Sequence, residues 1–188
     1  MRIRNSLVLI GFSILLTGCW KTEYTRLVER ELSKGVQVDS LFLGLRFGMT
    51  RQEFFDHCMD LNRQHLTTVG YKNSSVLYTL TYDSAVTIDM HFFPDFKEEK
   101  IYKMPTIFTY KNWSPFDRNT QSDSLLVKVK GILEEWYGSG FIKVEKDEGK
   151  DFAFVKVDGN RQIVLFREND MDVKAVFTDL LVENKTKK

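Results

Sequence analysis

This sequence has few histidines, few prolines and almost no net charge, and these shortages limit the functions and structures to be expected of it. The 188 residues include three histidines and three prolines, and 27 basic side chains balance 26 acidic ones. The balanced charge gives no reason to expect a polyanionic partner, so nucleic acid is not among the expected ligands. No Pro- or Ser-rich linker divides the middle of the chain, which favours one domain or two small packed repeats.

Recognisable catalytic and metal-binding motifs are absent as well. His57 and His65 lie eight residues apart instead of the four that place two ligands on one helical turn, and Cys58 points about 100° away from His57. No nucleophile-elbow, Walker or dinucleotide-binding pattern occurs. The acidic clusters at 98–99 and 145–151 alternate with lysines, as solvated turns do. We therefore expect no enzyme, no cofactor and no metal ion.

The first nineteen residues are the most informative segment. Arg2 and Arg4 precede a ten-residue apolar run at 7–16, and small residues follow it. A basic start, a short apolar run and a small-residue processing site are typical of a secretory signal. The apolar run is too short to cross a bilayer, which needs about 20 residues.

The run ends at Leu16-Thr17-Gly18-Cys19, which resembles the lipobox of bacterial lipoproteins. The resemblance implies that residues 1–18 are removed and that Cys19 is lipidated, which anchors the chain to a membrane of the cell envelope. Trp20 instead of Asp follows the cysteine, which favours the outer membrane, with the domain facing the periplasm or the outside. The alternative is an ordinary signal peptide cut near Gly18 that leaves a free cysteine.

Cys58 is the second cysteine of the chain, and it has no disulfide partner once Cys19 is acylated. An unpaired thiol in an oxidising compartment is safest when it is buried. The apolar neighbours Phe54, Phe55 and Met59 predict that Cys58 is buried and unreactive.

The ends of the mature chain carry weaker signals. Residues 19–39 are predicted to form the lipidated N-terminus and a tether, although a weak apolar stripe stopped by Gly35 also permits a short helix. The charged tail at 183–188 is expected to fray.

Two halves, 40–118 and 119–182, show the same order of elements, a helix followed by alternating strands. Thr50 and Glu53 have the spacing of a capping box and predict a helix over 51–64, and Ser122 or Asp123 is predicted to cap a second helix. The predicted strands are 76–82, 86–92, 101–110, 141–146, 152–157, 161–167 and 172–181.

These patterns predict an α+β fold in which the helices pack on one face of an antiparallel sheet, in two tandem helix-plus-meander repeats. Pro105 predicts that the strand at 101–110 lies at an edge or carries a bulge. The helix residues predicted to enter the core are Phe54, Cys58, Leu61, Leu126, Val129, Leu133 and Trp136.

The segment Phe47-Gly48-Met49-Thr50 resembles the opening of the small outer-membrane assembly lipoproteins of the SmpA/OmlA type. The fold of those lipoproteins is similar to one repeat of the β-lactamase-inhibitor proteins. The resemblance therefore implies a helix packed on a short antiparallel sheet.

Aromatic residues near the connection between the halves are candidate partner contacts. Tyr110, Trp113 and Phe116 form an apolar loop that either contacts a partner or plugs the junction between the repeats. Ser40, Ser84 and Ser124 each lie in an Asp-Ser-apolar tripeptide that resembles an O-glycosylation acceptor of some Gram-negative bacteria. Turn and cap chemistry explains these tripeptides equally well.

The expected function is that of a lipid-anchored envelope protein that acts as a non-catalytic protein-interaction module. The alternative is a ligand- or glycan-binding accessory lipoprotein of an envelope uptake system. An exposed apolar face favours the first, whereas a concave, aromatic-lined pocket with converging polar groups favours the second.

Overall fold

A computed structural model describes residues 22–70, 75–82, 86–146 and 151–184, which build one antiparallel sheet of nine strands with helices against it. The helices are α1 (Glu23–Ser33), α2 (Arg51–Arg63), α3 (Ser122–Tyr137) and α4 (Leu180–Asn184), with a one-turn 3-10 helix at Arg118–Thr120. The strands are β1 (Thr67–Val69), β2 (Val76–Tyr82), β3 (Val86–Phe92), β4 (Asp95–Lys97), β5 (Lys100–Tyr110), β6 (Ile142–Lys146), β7 (Asp151–Asp158), β8 (Arg161–Arg167) and β9 (Asp172–Asp179). The predicted α+β class is confirmed.

The two halves meet at their last long strands. The spatial order is β1-β2-β3-β5-β9-β8-β7-β6, and β4 pairs with β5. Each half is a helix followed by a meander, and the antiparallel pair β5–β9 joins the meanders into one sheet, with Phe108 opposite Val173 and Met104 opposite Phe177. This pair therefore lies at the centre of the sheet.

The two main helices begin in different ways. Thr50 and Glu53 form the predicted capping box at the start of α2. At α3 the predicted cap is wrong, because Ser122 is already helical and the N-cap Gln121 makes no side-chain capping bond. Asp123 forms an ion pair with Arg167 instead.

The main core lies between the sheet and the helices α2 and α3. Phe54 of α2 and Leu133 of α3 are fully buried in it, as are Phe92 and Phe177 of the sheet. Phe42, from the irregular segment between α1 and α2, packs edge-on against Phe92 and Phe177, at 5.0 and 5.5 Å between ring centroids. The residues from both halves thus form one continuous core.

Trp136 does not belong to this core, contrary to the prediction from its spacing. Its side chain is 38% exposed, whereas Tyr137 packs against Phe177 with 5.6 Å between ring centroids. Helical residues three and four apart lie on the same face. Here the buried stripe of α3 continues from Leu133 to Tyr137, four residues on, and not to Trp136, three residues on. Cys58 is half-buried and packs against the same core.

Pro105 does not mark an edge strand, because β5 pairs with β9 on one side and with β3 and β4 on the other. Pro105 lies opposite Val176 of β9. On the other side, the β3 ladder ends at Thr106 and the β4 ladder starts at Lys103. Asp95 and Phe96 of β4 pair with Lys103 and Ile101, so β5 has one extra residue here, in agreement with the predicted bulge. A proline, which has no N–H to donate, fits this interruption in the ladder.

Helix α1 packs on the opposite face of the sheet. Leu27 of α1 contacts a second core that includes Ala153, Val155 and Val157 of β7. These residues alternate along β7 with Phe154, which packs against the main core, so they point to the other face. Residues 23–33 therefore form a docked helix. It covers the outer part of this face and leaves the central strands open.

Candidate functional site

A groove of about 860 Å³ lies over the central strands β3, β5 and β9. We call it the open-face groove, because it lies on the sheet face opposite α2 and α3 and beside the part that α1 covers. Its lining residues include Ser75, Asp89, His91, Phe93, Pro105, Ile107, Thr109, Lys111, Trp113, Met171, Asp172 and Lys174.

A row of polar side chains crosses the floor of this groove. Asp89 of β3, Thr109 of β5 and Asp172 of β9 are direct cross-strand neighbours and therefore point to the same face. The hydroxyl of Thr79 on β2 donates to Asp89 over 2.9 Å, and that of Thr109 donates to Asp172. Asn169 donates a further hydrogen bond to Asp172 over 2.9 Å. These bonds fix both carboxylates in place.

The next row is mixed in character. His91, Ile107 and Lys174 are cross-strand neighbours two residues along each strand. His91 Nδ1 lies 3.4 Å from the hydroxyl of Ser75, and Lys174 Nζ lies 3.1 Å from a carboxylate oxygen of Glu168. An imidazole ring and a paired ammonium group thus lie beside the acidic row.

Apolar side chains complete the walls of the groove. Phe93 follows β3, Trp113 follows β5, and Met171 precedes β9. The indole Nε1 of Trp113 is buried, with no hydrogen-bond partner among the residues that the structure describes. The groove therefore combines converging polar groups with aromatic surfaces, as small-molecule sites commonly do.

A second surface lies beside the groove, where α2 meets the edge strand β1. Phe55, Met59, Val69 and Phe93 form it, and we call it the apolar patch. Met59 is 58% exposed and Val69 is 64% exposed. The patch surrounds a depression of about 360 Å³, and Phe93 also lines the open-face groove, so the two surfaces are continuous.

The predicted aromatic contact loop is only partly exposed. Phe116 is 96% exposed, whereas Trp113 is half-buried and packs against the main core. Tyr110 fits the alternative in which these residues plug the junction, because only 5% of it is accessible and its hydroxyl lies 3.0 Å from that of Ser124. Tyr110 and Trp113 secure the connection to the core, which leaves Phe116 as its exposed aromatic residue.

The three candidate glycosylation serines differ in their surroundings. The Oγ of Ser40 accepts a hydrogen bond from Arg161 over 3.1 Å, on an exposed segment. The Oγ of Ser124, in the first turn of α3, donates to the backbone oxygen of Asn119 in the preceding 3-10 helix over 2.6 Å. Ser84 lies outside the described residues. Modification of these serines stays a prediction.

The histidines do not converge within the described ranges. His57 Nε2 contacts the backbone oxygen of Leu43 over 2.7 Å, whereas His91 lies in the open-face groove. Among residues 22–70, 75–82, 86–146 and 151–184, no three histidine, cysteine or acidic side chains are placed to hold a metal ion. Burial raises the pKa of the Cys58 thiol to about 11, as expected for an unreactive cysteine.

Sequence reasoning missed the polar row on the groove floor. The signal was present in β3, where Asp89 and His91 alternate with the buried Ile88, Met90 and Phe92. Alternation places the polar residues on the face away from the core. Alternation does not show which part of that face a helix covers, and the position of the helix decides whether a groove forms there.

No protein-family model, curated protein or solved structure matches the chain. None of the helices in the described part is long and apolar enough to cross a membrane. Cys19 lies outside the described residues, so the lipid anchor remains a prediction from the sequence.

Proposed function

We propose that this chain is a lipid-anchored, non-catalytic protein-interaction module of the bacterial cell envelope, held at the outer membrane. The apolar patch carries the proposal, because two of its side chains are more than half exposed on a defined helix and strand. Apolar side chains grouped in this way are typical of protein-binding surfaces. The lipobox-like Leu16-Thr17-Gly18-Cys19 supports the anchor.

The edge strand β1 indicates how a partner binds. Within the described residues, β1 pairs with no strand other than β2, and the Thr67 carbonyl accepts a hydrogen bond from Asn62 of α2, so the part of its edge around Val69 is available to a further strand. An extended segment that adds to such an edge gains backbone hydrogen bonds, and neighbouring pockets select its side chains. Phe55 and Met59, four residues apart on α2, flank this edge. The partner that fits is an extended protein segment with alternating apolar side chains.

The anchor is tested by Cys19→Ser. Without a lipid, the chain should leave the membrane fraction or stay unprocessed, because no second apolar run in the sequence holds it. Separation of the membranes on a density gradient then tests the outer-membrane assignment. A Cys19→Ser protein that matures normally and still sediments with membranes in high salt contradicts the lipid anchor.

The partner surface is tested with a photocrosslinking amino acid at Val69 in living cells. Val127 on α3 is the matched control, because it is also a valine, 70% exposed, but lies outside the patch. Position 69 should give one discrete adduct with a second envelope protein, and Met59→Asp should abolish it. Position 127 should give none.

Three results would contradict the proposal that the apolar patch binds a second envelope protein. The first is equal crosslinking from both positions, and the second is an adduct that persists in Met59→Asp. The third is an adduct that contains only a second copy of this chain, because the patch would then be a dimer interface.

A further inference from the structure

The floor of the open-face groove presents hydrogen-bond acceptors. Thr79 and Thr109 donate their hydroxyl protons to Asp89 and Asp172, so those protons are used within the protein. An ionised carboxylate has about four acceptor positions, and Asp89 uses one of them for Thr79. A ligand that lies on this floor must therefore bring donors.

The charges around the groove favour no ligand of one sign. Asp89 and Asp172 offset Lys111 and Lys174, so the groove has little net charge with which to attract an anion, a metal ion or a polycation. A wholly apolar ligand would remove water from both carboxylates without replacing its hydrogen bonds, which is strongly unfavourable. A neutral, polar ligand remains.

Hydroxyl groups fit this floor best, because each is both a donor and an acceptor and forms strong bonds to carboxylates. The walls add aromatic surface at Phe93 and Trp113, against which the apolar face of a sugar ring packs. The volume of about 860 Å³ is near the upper end for small-molecule sites, which suits several linked rings. We propose that the open-face groove binds a neutral oligosaccharide.

The open-face groove and the apolar patch share Phe93, but Asp89 lines only the groove and Met59 only the patch, so the two surfaces can be tested independently. The full mature chain in micelles of lauryldimethylamine oxide, a detergent without sugar, is titrated with maltohexaose, cellohexaose and chitohexaose by calorimetry. At least one of these neutral hexasaccharides should bind. Met59→Asp in the apolar patch should leave that binding unchanged.

The central variant is Asp89→Asn, which keeps the shape of the side chain but removes its charge. It should weaken binding at least about tenfold, because charge-assisted hydrogen bonds to the sugar hydroxyls are lost. Glu135→Gln is the matched control, since it neutralises an exposed carboxylate on α3 outside the groove. It should change the affinity less than about twofold.

Trp113→Leu tests the wall in the same titration and should also weaken binding. Because Trp113 packs against the core, circular dichroism is used to check that the Trp113→Leu protein is folded. If it is not, the Asp89→Asn titration alone tests the sugar site. The proposal is overturned if none of the three hexasaccharides binds at millimolar concentration or if Asp89→Asn binds as the wild type does. Equal binding of the acidic sugar trigalacturonate would overturn it as well.

Discussion

Removing one hydroxyl should stabilise this protein at Tyr137 and destabilise it at Tyr110. The hydroxyl of Tyr137 is buried, with no hydrogen-bond partner within the described part of the chain, and a guanidinium lies over its ring. An unsatisfied buried polar group costs about 1–3 kcal/mol. We therefore expect Tyr137→Phe to raise the free energy of unfolding by about 1 kcal/mol.

Tyr110→Phe is the matched control, since it removes the same atom from a hydroxyl that has a partner. The Tyr110 hydroxyl lies 3.0 Å from that of Ser124, and the residue is almost fully buried. Losing that bond should lower the free energy of unfolding by about 1 kcal/mol. Urea denaturation at pH 7 measures both variants. A Tyr137→Phe protein that is less stable than the wild type would refute the reasoning.

The same pair predicts how stability depends on pH. Burial raises the pKa of Tyr137 above its ordinary value, although the nearby Arg161 opposes this in part. Above about pH 10 the unfolded chain releases a proton that folded Tyr137 still holds, so stability falls as the pH rises. The Tyr137→Phe protein has no phenol at this position and does not lose stability in this way. The difference between its free energy of unfolding and that of the wild type should therefore grow between pH 9 and pH 11. A constant difference would contradict the burial of the hydroxyl.

Three further predictions concern single positions. Replacing Glu98-Glu99 by Asn-Gly should stabilise the protein by about 1 kcal/mol in urea melts, because both residues have positive φ, 49° and 60°, in the two-residue β4–β5 turn. Leu133→Ala should cost about 2–5 kcal/mol and Trp136→Ala clearly less, because 38% of Trp136 is already exposed, and equal losses would show that Trp136 is buried. The Cys58 thiol, with a pKa of about 11, should react with iodoacetamide at pH 8 at least about tenfold more slowly in the folded protein than in urea. Equal rates would show that it is exposed.

Most of the secondary structure could be predicted from local patterns. The capping box at Thr50 and the alternation in β2 and β3 predicted those elements closely, because each signal arises within a few residues. The error at Trp136 and the wrong edge alternative for Pro105 have a common physical cause. Both depend on tertiary packing: Trp136 on which face of α3 meets Phe177, and Pro105 on how β3, β4 and β9 pair with β5.

The candidate site was harder to predict than the fold, because it depends on what does not cover a surface. Asp89, Thr109 and Asp172 are separated by up to 83 positions in sequence and become neighbours only through the register of three strands. Each is an ordinary outward-facing residue of its own strand. Cross-strand register and the position of α1 are both tertiary properties, and the local alternation in the sequence contains neither.

Helix α1 explains why a groove forms on one part of this sheet face. The two meanders have the same plan and meet at β5 and β9, so without α1 this face would be similarly open in both halves. With Leu27 and its neighbours packed on β7, the apolar side chains of the second half are covered. The corresponding face of β3 and β5 has no helix over it within the described residues and carries polar side chains such as Asp89 and Thr109. A face that stays exposed in the monomer tolerates charged groups, and here those groups form the floor of the groove.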